Sequence, residues 1–131
     1  MRHIVSVGLL LACLGANVIA QDWHHDREER YRDEHWRGHV FVDVRSDLEH
    51  IWSADRAKEK ERRRLDKTKE ELTDLQSKLE RGRFDEGELN DVIDSIRKSA
   101  NDDRLSSGDR DVLTDDLNRL QDYRANHEHW R

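Results

Sequence analysis

This 131-residue sequence has one cysteine, no proline and only 6% aromatic residues. The single cysteine, Cys13, excludes an internal disulfide framework and a cysteine-based zinc site. From Gln21 onward only 20 of 111 residues are Leu, Ile, Val or Phe, which excludes a large buried core. That composition lies close to the range of disordered chains.

Charge is what the sequence has in abundance. Asp, Glu, Lys and Arg make up 41% of the residues, with 24 basic against 30 acidic side chains. An acidic chain of this kind is not typical of nucleic-acid-binding proteins, so we expect no nucleic-acid partner. No Gly-rich phosphate loop, G-x-S-x-G or H-E-x-x-H motif occurs. The sequence therefore favours a non-enzymatic protein.

The first twenty residues are typical of an export signal. Arg2 and His3 precede an apolar run over 4–16, and small side chains at Val18 and Ala20 suit cleavage after Ala20. No later segment is apolar enough to span a membrane. We therefore expect an exported protein, periplasmic or secreted. The segment Leu9–Cys13 also resembles a lipoprotein signal, and this alternative would anchor the chain to lipid through Cys13.

Residues 21–39 contain no aliphatic side chain, and ten of the nineteen are charged. Such a segment buries too little apolar surface to offset the entropy lost on ordering. The pattern predicts a mostly disordered segment that ends near Gly38.

An apolar stripe with helical spacing begins at Val40. A heptad pattern follows it to Leu79, which predicts one long helix over 41–81 with a coiled-coil-like seam. The seam is interrupted by Lys58 and Glu61, in a stretch where most side chains are charged. We interpret the stripe as an interaction face made of Val44, Leu48, Ile51, Trp52, Leu65, Leu72, Leu75 and Leu79.

Two alternatives remain open for this helix. It is either continuous or broken near Ala54–Arg56. Its N-terminal part either folds back on the chain or packs against a second subunit. Narrow apolar stripes bury more surface in a dimer than alone, so we expect self-association or binding to another envelope protein.

Capping signals place two further helices. Gly82 suits the end of the first helix, and Asp85 with Glu88 resembles a capping box that starts a helix over 86–100. Ser106 caps a last helix over 107–125, and residues 127–131 form a tail. The predicted fold is all-α, with a helical domain over 40–126. It is a long helix followed by a two-helix hairpin, forming a slim three-helix bundle with disordered tails.

Histidine is concentrated near the two ends of the mature chain. Imidazole is a common ligand of Zn, Cu and Ni, so these residues are the candidate metal ligands. Their spacing matches no closed tetrahedral site, and a solvated polar tail is the alternative reading. The candidates are His24, His25, His35, His39, His127 and His129.

The stretch Leu72-Thr73-Asp74-Leu75-Gln76 matches the LTxxQ signature. In these five residues the chain resembles the family of small periplasmic stress chaperones that carry it. The resemblance implies an exported, all-helical, dimeric, ATP-independent holdase, sometimes responsive to metals. In that family the threonine usually starts a helix, whereas the predicted long helix places Thr73 in its interior.

A broader stretch is similar to small secreted helical proteins of soil bacteria. The similarity rests on Gly38-His39-Val40, Gly82-Arg83-Phe84-Asp85 and Leu117, and it implies no functional residue. The leading hypothesis is an exported helical protein that acts by protein–protein contact, in a structural or scaffolding role. The alternative is a chaperone or metal-responsive protein of the LTxxQ kind.

Overall fold

The computed structural model describes residues 23–53 and 59–130, and every regular element in these ranges is helical. The all-α prediction is confirmed. The proposed export signal, the lipid-anchor alternative at Cys13 and the alternative break near Ala54–Arg56 lie outside the described residues. The chain divides into two compact units, the first ending at Trp36 and the second beginning at Arg37.

Within the first unit, residues 23–31 form a helix (α1), and a 3-10 helix begins at Glu34. Residues 23–31 and 34–38, which lie in the segment predicted to be mostly disordered, are thus helical in the structure. Local side-chain pairs supply the order that aliphatic packing does not. Glu29 pairs with His25 at 3.6 Å and with Arg32 at 3.0 Å, and the Arg27 guanidinium lies 4.8 Å from the Tyr31 ring centre. Pairs spaced three or four residues apart stabilise a helix.

The described residues of the second unit form four α-helices in place of the predicted three. They are α2 (Val40–Ser53), α3 (Glu59–Glu80), α4 (Glu86–Ala100) and α5 (Ser107–Asn126). Each packs against the next in sequence, and α2 also packs against α5. Short connections between α3, α4 and α5 make neighbouring helices antiparallel. The unit is an antiparallel four-helix bundle.

The prediction of one long helix over 41–81 is wrong. Lys69 Nζ lies 2.6 Å from Glu49 Oε2, whereas a straight helix would place residues twenty apart at about 30 Å. The physical reason is burial. A continuous helix would leave the apolar stripe of α2 in solvent, and folding back on α3 buries Val44, Leu48 and Ile51 completely.

The core of the bundle is one apolar layer drawn from all four helices and the α4–α5 loop. Glu61, which interrupts the predicted seam, is also buried, at 2% exposure. The buried apolar residues of this unit are Val40, Phe41, Val44, Leu48, Ile51, Leu65, Leu72, Leu75, Leu89, Val92, Ile93, Ile96, Leu105, Val112, Leu113, Leu120 and Tyr123.

Local capping sets the ends of the helices. Gly82 has φ +79°, and its amide and that of Arg83 donate to the carbonyls of Leu79 and Lys78, a Schellman motif that ends α3. The Asp85 carboxylate accepts the Glu88 amide at 3.0 Å, and the Ser106 hydroxyl accepts the Asp109 amide at 3.1 Å. These caps start α4 and α5.

The C-terminal residues, predicted to be a disordered tail, are also ordered as far as Trp130. His127–His129 form a 3-10 helix. The His127 ring stacks on Tyr123 with centroids 4.6 Å apart and lies 4.5 Å from Phe84. Aromatic stacking supplies contacts that a tail without aliphatic residues otherwise lacks.

Candidate functional site

A charged groove runs along the surface between α3 and α4. Its volume is about 770 Å³, and five acidic and three basic side chains line it. Along α4 these residues recur at steps of three and four, which places them on one flank of the helix beside the buried stripe. The lining residues are Arg64, Lys67, Glu71, Asp85, Gly87, Glu88, Asp91, Asp94, Ser95 and Lys98.

A pair of hydroxyls joins the two helices midway along the groove. Thr68 Oγ1 and Ser95 Oγ lie 2.6 Å apart, and the Thr68 hydroxyl also donates to the Arg64 carbonyl at 2.9 Å. Thr68 is buried. Because its proton is committed to that carbonyl, Ser95 is the donor between the two hydroxyls. This bond holds α3 and α4 in register under the groove.

At one end of the groove four charged side chains meet, and we name them the corner cluster: Asp74, Lys78, Asp85 and Glu88. The Lys78 ammonium lies 3.1 Å from Asp74, 2.8 Å from Asp85 and 3.7 Å from Glu88. A full capping box would turn the Glu88 carboxylate back to the Asp85 amide. In the structure Glu88 instead faces Asp74 and Lys78 of α3, so only one half of the box forms.

The corner cluster shifts the pKa values of its members in opposite directions. Burial, followed by the hydrogen bond with Asp74, raises the pKa of Glu88 to about 7. The Lys78 hydrogen bonds lower the pKa values of Asp74 and Asp85, and the Asp85 and Asp74 carboxylates raise that of Lys78. Further along the groove, burial raises the pKa of Glu71.

The predicted interaction face lies inside the bundle. Six of its residues are buried: Val44, Leu48, Ile51, Leu65, Leu72 and Leu75. Leu79 and Trp52 are half-buried. The Trp52 ring lies against α3, with Lys69 Nζ 4.6 Å and the Arg62 guanidinium 5.5 Å from its centre. The face therefore packs α2 on α3 and is not open to a partner while the bundle is folded.

The candidate metal ligands occupy several different environments. His24 packs edge-on against Trp23, His25 pairs with Glu29, and His39 bonds to the Asp43 carboxylate. His127 bonds to the Tyr123 carbonyl at 2.8 Å, while His35 and His129 are exposed. Within residues 23–53 and 59–130, no three His, Cys, Asp or Glu side chains are placed to hold one metal ion.

The LTxxQ match lies in the interior of α3. Leu72 and Leu75 belong to the core, and the Thr73 hydroxyl donates to the Lys69 carbonyl at 3.0 Å. Thr73 therefore does not cap a helix. Of the three signature residues only Leu72 is buried, while Thr73 is exposed and Gln76 donates to Glu80 Oε1 at 3.3 Å.

Sequence reasoning missed the groove and the corner cluster. Asp74 and Lys78 carry a local signal, because they are four residues apart on one helix. Asp85 and Glu88 have the spacing of a capping box, which predicts the start of a helix. Only the packing of α4 on α3 brings the two pairs together, and no local pattern reveals that.

Comparison with protein-family models, curated proteins and solved structures finds no match to this chain. Of the helices in the described ranges, none combines the length and the apolar character that crossing a membrane requires.

Proposed function

We propose that this protein is an exported, non-enzymatic helical protein that acts by contact with another protein. In this proposal a positively charged segment of the partner lies in the α3–α4 groove. The observation that carries it is the charge of the groove, in which acidic side chains outnumber basic ones. Electrostatic complementarity of this kind steers association and selects partners.

The charge of the wider surface also favours a positively charged partner. Residues 84–126, which contain α4 and α5, carry twelve acidic and six basic side chains, whereas residues 40–83 carry eleven acidic and twelve basic ones. The net negative charge is therefore concentrated in the α4–α5 hairpin, on one side of the groove. A basic segment laid along α4 would meet the acidic half of the bundle.

The apolar residues favour a protein partner over a small apolar ligand. Small-molecule sites are usually enclosed and lined mostly by apolar side chains. Here the apolar side chains are used in the core, and within the described ranges Val42 is the one large hydrophobic residue that is exposed. The groove offers charged and polar groups, which suit an extended polar segment.

The same burial changes the expectation of self-association. The apolar stripes that motivated a dimer are satisfied inside one chain, so they no longer argue for a second copy. We therefore propose a different protein as the partner, met after export. The export step rests on the sequence of residues 1–20.

Site-specific photo-crosslinking tests the proposal. A photoreactive residue at Asp91 in the groove is compared with one at Asp111, an exposed aspartate on α5 outside the groove. We expect a discrete adduct with one exported protein from position 91 and none from 111. Equal labelling from both positions, or none from either, would contradict the proposal.

Charge reversal provides the matched affinity test. Asp91→Lys and Asp111→Lys change the net charge equally, so long-range effects cancel between them. We expect Asp91→Lys to weaken binding of the captured partner at least tenfold, an effect that diminishes in high salt. An Asp111→Lys variant that loses as much affinity would show that net charge, and not the groove, governs binding.

A further inference from the structure

The corner cluster contains one ammonium group and three carboxylates. Lys78 donates a hydrogen bond to Asp85 at 2.8 Å and forms an ion pair with Asp74 at 3.1 Å, but stands 3.7 Å from Glu88. That distance is too long for a hydrogen bond. Glu88 Oε1 is buried and has no hydrogen-bond partner. If all three carboxylates were ionised, Glu88 would hold a poorly compensated charge in a partly buried place.

We propose that Glu88 and Asp74 share one proton across the α3–α4 corner, and that loss of this proton is a pH switch acting on the groove. With the proton present, the Glu88 hydroxyl donates to the Asp74 carboxylate and ties the first turn of α4 to α3. Without it, the two carboxylates share only the Lys78 ammonium, which already donates to Asp85 and stands 3.7 Å from Glu88. Like charges on neighbouring side chains repel and loosen the corner.

The charged groups around Glu88 explain the pH at which the switch acts. Asp74 and Asp85 favour its neutral form, and Lys78 favours its ionised form. The charged residues Asp91 on α4 and Glu71 on α3 share the groove with it, and Arg81 lies near Asp74. No ion pair reaches Glu88 from α5, which packs on another side of α4, among the described residues.

The pKa shifts agree with the geometry. The pKa of Glu88 is raised to about 7, while that of Asp74 is lowered, in part by the same hydrogen bond. Because the folded state holds the Glu88 proton more tightly than the unfolded chain, this contribution to stability is present at acidic pH. It is lost as the pH rises from 4.5 through about 7.

The effect on the groove rests on the proposed function. Deprotonation of Glu88 adds one negative charge to the acidic lining and removes a link between its two walls. We expect the groove to bind a basic segment more tightly above pH 7 than below it. The shared proton itself does not depend on any partner.

Carbon-detected NMR titration of the full chain, without a partner, tests the switch directly. We expect the Glu88 carboxyl carbon to titrate with a midpoint near 7. Asp74→Asn should move this midpoint down toward 4.5, the ordinary value, because a charged acceptor is lost. Lys78→Met should move it up, because the cation that favours the ionised form is lost.

Two further variants separate the shared proton from a general effect of charge. Glu88→Gln keeps the shape of the neutral acid and should remove the titration from the groove, whereas Glu86→Gln, an exposed neighbour on the same turn, should leave it unchanged. A Glu88 midpoint near 4.5, or a midpoint that does not respond to Asp74→Asn, would overturn the proposal. Failure of the crosslinking experiment would leave this titration unaffected.

Discussion

The two ends of the bundle are held together by different kinds of contact. The end where α3 finishes is aromatic, and we name it the aromatic end: Phe41, Phe84, Tyr123, His127 and Trp130. The opposite end, where α3 begins, lies about 33 Å away, because α3 has 22 residues. Ion pairs between α3 and the α4–α5 loop hold this end together. We name this the ion-paired end: Glu61 with Arg104, and Arg64 with Asp102.

Ring contacts at the aromatic end join residues from distant parts of the chain. Phe41 and Tyr123 meet edge to face with centroids 4.9 Å apart, and Tyr123 lies 5.7 Å from Trp130. The Arg37 guanidinium stacks over Trp130 at 4.2 Å. Each contact combines apolar burial with a preferred ring geometry, so the last residues of the chain are ordered without aliphatic side chains.

The ion-paired end relies on weaker contacts. Both ion pairs span 3.4 Å, and Arg104 is 57% exposed. Solvent and salt screen such pairs, whose individual contribution is small. The loop also carries one buried apolar anchor, Leu105. We therefore expect the rings to stabilise this bundle more than its ion pairs do, although charged residues dominate its composition.

The largest expected effect is at the centre of the aromatic end. Phe41→Ala removes a ring that is 1% exposed and leaves a cavity. We expect the free energy of unfolding to fall by about 3–5 kcal/mol, measured by urea denaturation with circular dichroism. A loss below about 1 kcal/mol would mean that this end is loosely packed and would remove the contrast with the other end.

A smaller effect is expected where the chain ends. Trp130→Ala removes the contacts with Tyr123 and Arg37, which should lower the free energy of unfolding by about 1 kcal/mol. Hydrogen exchange should show less protection of the 127–130 amides. Val42→Ala, which shortens an exposed side chain on α2, is the control and should leave those amides unchanged. If Trp130→Ala leaves them unchanged as well, the C-terminal residues are not held by their rings.

The smallest effect is expected at the ion-paired end. Arg104→Ala should lower the free energy of unfolding by about 0.5 kcal/mol, and less in 1 M NaCl because salt screens the pair. Adding Glu61→Gln should recover part of this loss, since the buried carboxylate no longer needs a counter-ion. If Arg104→Ala lowered the free energy of unfolding more than Phe41→Ala does, the ion-paired end would stabilise the bundle more than the aromatic end, contrary to our expectation.

Sequence patterns were most informative where structure is determined locally. The caps at Asp85 and Ser106 and the glycine at position 82 act within one helical turn, and the corresponding residues begin α4 and α5 and end α3 in the structure. Helical spacing was also sufficient to identify the core side of α2, α3, α4 and α5. These signals depend only on residues close together in the chain.

Patterns failed where distant residues decide the outcome. The heptad seam over 44–79 has the same spacing in one long helix as in two antiparallel ones, so periodicity could not reveal the fold-back of α2. Composition suggested disorder over 21–39 and 127–131, because it counts aliphatic residues and not ring contacts such as His127 on Tyr123. The corner cluster was hidden for the same reason.

The four-helix core and the loss of the dimer argument both depend on the fold-back of α2 on α3. Spin labels at Arg45→Cys and Thr73→Cys, in a chain with Cys13→Ser, measure it by pulsed electron resonance. Both positions border the same surface depression between α2 and α3. We expect a separation below about 20 Å, unchanged when unlabelled protein is added in excess. A separation of the two labels near 42 Å, about the value for one continuous helix, would contradict the fold-back of α2 on α3.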